Sequence, residues 1–76
     1  MVNEMTETQA AEAAKQAILA ELDQRRCGPV HIDLIIDKHS LHYEDVILAE
    51  SRLESSGVIY VDRTIAGHVY TLRRQL

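Results

Sequence analysis

Leu53-Glu54-Ser55-Ser56-Gly57-Val58-Ile59-Tyr60-Val61 is the stretch where the chain changes its hydrophobic period. Before it, Val46, Ala49 and Leu53 recur at spacings of three and four, the signature of one buried helix face. After Gly57 the pattern becomes that of strands: Val58-Ile59-Tyr60-Val61, then His68-Val69-Tyr70-Thr71-Leu72. Gly57 is free to take the left-handed conformation that closes a helix, and so marks the boundary. The segment from Asp62 to Gly67 is then expected to be a hairpin loop of five or six residues.

The rest follows by working back from that boundary. The third helix is expected from Leu41 to about Ser55, with Ser40 as its cap and Lys38-His39-Ser40 as the preceding turn. Val30 to Asp37 reads VHIDLIID, which is ambiguous by periodicity alone. Between two helices it is best read as one or two extended residues, Pro29 to His31, entering a two-turn helix over Ile32, Leu34, Ile35 and Ile36. A long helix is predicted from Glu7 to Arg26. That span lacks Gly and Pro and aligns Ala11, Ala14, Ile18 and Leu22. Thr6 with Gln9 fits a capping box, and Arg25 and Arg26 suit the negative helix end. Cys27-Gly28-Pro29 stops it. Residues 1–6 show no periodicity and are expected to be a flexible N-terminus ahead of a single domain spanning 7–76.

At 76 residues the chain is one domain at most, and its 46% hydrophobic and 26% charged fractions suit a folded soluble protein. No apolar run approaches the ~18 residues of a membrane span. With no Trp or Phe and three Tyr, the core must be aliphatic. A single cysteine, Cys27, excludes an internal disulfide, and the start Met1-Val2-Asn3-Glu4-Met5 has no basic, apolar leader, so a cytoplasmic location is expected. The formal charge of −4 is concentrated in residues 1–23, where Glu4, Glu7, Glu12, Glu21 and Asp23 oppose Lys15 alone.

Helix, short strand, helix, tight turn, helix, hairpin is an order that resembles the winged helix-turn-helix superfamily, over Gly28 to Leu72. Gly28-Pro-Val-His-Ile-Asp-Leu-Ile35 looks like its short strand entering the second helix, and Asp37-Lys-His-Ser40 like its turn. Leu53 to Val61 looks like its passage from third helix into wing, and Gly67-His-Val-Tyr-Thr-Leu72 like its returning wing strand. The resemblance implies an α+β fold of three helices, a short strand and a C-terminal hairpin wing. It also implies double-stranded DNA as partner, in transcriptional or replication control, with the third helix in the major groove and the wing on the backbone. On this reading Lys38, His42 and Tyr43 are the helix contacts, and Arg63, His68, Arg73 and Arg74 hold phosphates.

The residues of the third helix depart from that pattern. Leu41-His42-Tyr43-Glu44-Asp45, followed by Leu48 and Glu50, offers no Lys or Arg before Arg52, and carboxylates beside phosphates are repelled. The alternative is a winged-helix module that binds protein. Glu44, Asp45, Leu48 and Glu50 would then face a basic partner, in the extreme case a nucleic-acid-binding protein that it inhibits. If Ile59, Val61, Tyr70 and Leu72 face the core, alternation leaves Val58, Tyr60 and Val69 on the other hairpin face near Ile65. That surplus of apolar residues predicts a homodimer or a bound partner.

Catalysis and cofactors are not expected. Ser51, Ser55, Ser56 and Cys27 are nucleophile types, but no nucleophile motif, phosphate loop or paired-carboxylate motif accompanies them. Asp37, His39 and His42 are close in sequence, yet a zinc site needs four converging ligands and no second dense pair exists. The histidines are read as surface or capping residues, and no metal is assigned.

Overall fold

In the computed structural model, which describes residues 2–24 and 28–73, with side chains from residue 9 onward, the longest element is helix α1, Val2–Gln24. It buries Ala11, Ala14, Ala17, Ile18 and Leu22, the expected stripe joined by one more alanine. It begins at Val2, ahead of the expected start, so Thr6 lies inside the helix and cannot be its cap. Once a helical nucleus exists, each further residue costs little, and nothing from Val2 to Met5 is a breaker. Arg25, Arg26, Cys27 and Arg74, each given a role above, lie outside the described residues.

The next elements are β1, Val30–His31, and α2, Ile32–His39. The strand-then-helix reading of VHIDLIID therefore holds, with Val30, Ile32 and Ile35 in the core. Lys38 and His39 do not form a turn. They complete the last turn of α2, and Ser40 terminates that helix instead of capping the next one. Ser40 takes a left-handed conformation at φ 53, and Leu41 N–H returns to the Ile36 carbonyl at 3.1 Å. Helix α3, Tyr43–Ser55, starts two residues later than expected, after His42, whose side chain makes no capping bond.

Helix α3 buries Val46, Ala49 and Leu53 as expected, and also Glu50, which was not. Its end is a Schellman motif: Gly57 N–H bonds the Glu54 carbonyl at 3.0 Å and Val58 N–H the Leu53 carbonyl at 3.0 Å. That geometry puts Gly57 at φ +76, where a side chain is rarely tolerated.

Two strands follow, β2, Ile59–Thr64, and β3, Gly67–Leu72, in an antiparallel sheet of order β1-β3-β2. The hairpin corrects the expected long loop: Asp62, Arg63 and Thr64 remain in strand, paired with Val69, His68 and Gly67, and only Ile65 and Ala66 connect them. The positive φ that such a short reversal needs falls on Gly67, at +130. On the inner face Ile59 pairs Leu72, Val61 pairs Tyr70 and Arg63 pairs His68. Ile59 and Tyr70 are buried, with Val61 and Leu72 packed against the core. The inner face thus turns from apolar to polar toward the hairpin tip.

The architecture is α+β, three helices and a three-stranded antiparallel sheet around one core. Among the described residues no helix is long and apolar enough to cross a membrane.

Candidate interaction surface

Three polar locks position the helices and the hairpin. In the first, Glu50 lies almost fully buried between α3 and the sheet, its side chain 3% exposed. Its Oε1 accepts hydrogen bonds from the Tyr70 hydroxyl at 2.6 Å and from His68 Nδ1 at 2.8 Å, while Oε2 accepts from Arg63 Nη2 at 3.2 Å. A carboxylate this deep is tolerable only because its lone pairs are used and a cation stands beside it. Burial and then the Glu50 hydrogen bond raise the Tyr70 pKa far above the ordinary phenol value, so its proton stays on oxygen. Arg63 also grips Glu54 with two nitrogens, at 2.8 and 3.2 Å. That fork holds the Glu54 carboxyl below its ordinary range and raises the Arg63 guanidinium.

The second lock is Glu21, buried on α1, whose Oε2 accepts from Lys38 Nζ at 2.9 Å and His39 Nε2 at 3.0 Å. It ties the long helix to the end of α2. Lys38 and then His39 lower the Glu21 pKa. The third lock is His31. Its Nδ1 accepts the Asp33 amide at 3.1 Å, capping α2, while Nε2 donates to the Ala66 carbonyl at 2.9 Å. A carbonyl can only accept, so the proton sits on Nε2. The imidazole fills the space where a Cβ on Gly67 would stand, 2.8 Å from His31 Cε1.

These locks engage three of the seven expected DNA contacts. Lys38 is paired with Glu21, Arg63 with Glu54 and Glu50, and His68 with Glu50. Arg73 stacks its guanidinium 5.2 Å from the centre of the Tyr60 ring. His42 and Tyr43 are exposed at the start of α3, as the DNA reading requires. The alternative set is also divided. Glu50 cannot face a partner, because its helical phase puts it on the stripe of Val46, Ala49 and Leu53. Val58 is half-buried against the core through the Schellman turn, and Val69 is half-buried in the central strand, so the continuous apolar hairpin strip is reduced to Tyr60 and the tip residue Ile65.

What remains outward on α3 is a single face. Glu44, Leu48, Ser51, Arg52 and Ser55 are exposed along it, with Tyr43 and the partly buried Ile47 on the flank toward the hairpin. Leu48 and Tyr43 are 40% and 55% exposed, large side chains left in water. Neither Glu44 nor Arg52 has an ion-pair partner among the described residues.

Sequence reasoning missed Glu50, Glu21, His31 and Gly67 as structural residues. A signal was present for the two carboxylates: positions 46, 49, 50 and 53 are spaced as a helical core stripe, and so are 14, 17, 18, 21 and 22. No such signal existed for His31, whose partner is 35 residues away. Among the described residues no group of three His, Cys, Asp or Glu is placed to hold a metal ion.

No family model, curated protein or solved structure matches this chain.

Proposed function

We propose that this chain is a winged-helix-like protein-interaction module, with the outward face of α3 as its docking surface. The observation that carries the reading is the fate of the charges. The wing cation Arg63 is neutralised by two carboxylates of α3, and the face that a DNA groove would receive presents Glu44 and Leu48, with Tyr43 on its flank. A cation already forked onto Glu54 must lose that pair before it can hold a phosphate, and the carboxylate left behind repels the backbone. An exposed tyrosine, by contrast, is an anchor that protein interfaces favour, and the exposed Leu48 adds apolar area that a partner can cover.

DNA binding is the second reading, favoured by the exposed His42 and Tyr43 at the N-terminal end of α3 and by the helix-turn-helix connection that presents them. Two measurements separate the readings. Titration of labelled mixed-sequence duplex DNA at low and physiological salt is expected to give no saturable binding. A photo-crosslinking amino acid in place of Leu48 is expected to trap a discrete protein adduct in cells, absent when it replaces the exposed Gln16 of α1. Saturable, salt-steep DNA binding weakened by Arg63→Ala, or no adduct at Leu48, overturns the protein-docking reading.

A further inference from the structure

Resting on the reading of α3 as a docking face, we infer that its occupant is a second copy of the chain, packed as an antiparallel α3–α3 pair about a two-fold axis at Leu48. Glu44, Leu48 and Arg52 stand at i, i+4 and i+8, one above the other on the outward side of the helix. Glu44 and Arg52 are about 12 Å apart along the axis, too far to pair within one helix. Both are exposed and unpaired among the described residues, whereas Lys15, Lys38 and Arg63 all have carboxylate partners and Arg73 has the Tyr60 ring.

Leu48 lies midway between them. A two-fold axis through Leu48 reverses the second helix and brings Glu44 of each copy opposite Arg52 of the other, with the two leucines in contact at the centre. The contact is self-complementary, as an isologous dimer requires. Ser51 and Ser55 on the same face are small enough to let the helices approach to ~8–10 Å. A parallel pairing would set Glu44 against Glu44 and Arg52 against Arg52, so the charges select the antiparallel arrangement. One pair of 13-residue helices is a small interface, and dissociation in the range of about 10–100 µM is expected.

The test is sedimentation of the wild type, Glu44→Arg, Arg52→Glu and the double charge swap, with far-ultraviolet circular dichroism to confirm that each folds. Glu44 and Arg52 are both exposed, so folding should be retained in every variant. The wild type is expected to shift from monomer to dimer over this range. Each single reversal should weaken association by about ten-fold or more, because two like-charge contacts replace two attractions. The double swap should return to within about three-fold of wild type, since the complementarity is rebuilt. A wild type that stays monomeric to ~1 mM, or a double swap no better than the singles, overturns the dimer. The mass of the Leu48 adduct separates this from the docking reading. Twice the chain mass supports self-association, a different mass overturns it while keeping α3 as a docking face, and no adduct overturns both.

Discussion

Replacing Glu50 tests whether a buried carboxylate holds the hairpin against α3. Its partners differ in what they lose. His68 and Arg63 have side chains 24% and 50% exposed, so water can replace the carboxylate for both. The Tyr70 hydroxyl cannot be rescued in this way, because Tyr70 is 0% exposed and Glu50 is its hydrogen-bond partner. Glu50→Ala therefore removes a charge-assisted hydrogen bond, leaves a buried donor unsatisfied and opens a small cavity. Together these are expected to cost about 3–5 kcal/mol. A domain of this length has roughly 4–11 kcal/mol in total, so the variant should be near its unfolding threshold. Tyr70→Phe keeps the ring and leaves Glu50 its other two donors, so its cost should be about 1.5–2 kcal/mol, the low end for a hydrogen bond to a charged group. The two losses share one bond, so Glu50→Ala with Tyr70→Phe should be less destabilised than the sum by about 1–2 kcal/mol. Urea unfolding followed at 222 nm gives all four stabilities. Additive losses, or less than about 1 kcal/mol for Glu50→Ala, would refute the argument that this carboxylate is held by the buried hydroxyl.

Leu53 is buried in α3 against the core, and Leu53→Ala should cost about 2–5 kcal/mol, read as a fall of the thermal midpoint; an unchanged midpoint means the helix phase is wrong. Gly67→Ala must place a Cβ 2.8 Å from His31 at φ +130, and should cost about 1–3 kcal/mol, part of which His31→Ala relieves; a neutral Gly67→Ala means the turn is not built this way. The pH dependence follows from Glu21 and Glu54, whose folded pKa values lie below the ordinary 4.5. A depressed carboxylate contributes stability above its unfolded pKa and loses it as pH falls through the folded value, so stability should decline from about pH 5 downward. Glu21→Gln should lower the urea midpoint at neutral pH and converge on wild type in acid; a constant difference between the two across that window rules out the Lys38 and His39 pairing as its cause.

The elements were legible wherever one residue type repeated with one period. Ala11, Ala14, Ile18 and Leu22 declare α1, and the change of period at Gly57 declares the passage from α3 to the sheet, because burial on one face imposes a spacing that no other structure shares. The hairpin length was not legible, since Asp62-Arg63-Thr64 carries no apolar alternation. Its strand is held by pairing with β3 and by the Arg63 fork, partners that become neighbours only after folding. Ser40 misled for a similar reason. Serine favours a helix start, but here the tight connection to α3 requires a left-handed residue at the end of α2, and the position outweighs the preference. Charge was the hardest feature to read. In sequence α3 carries Glu44, Asp45, Glu50 and Glu54 against Arg52, which describes an acidic helix in search of a basic partner. Folding turns Glu50 inward and spends Glu54 on Arg63, so that half of that negative charge is either buried or paired. On the outward line Glu44 and Arg52 stand on either side of Leu48, with the half-buried Asp45 beside them, so the helix that the count describes as acidic presents, once folded, charges of both signs around an apolar centre.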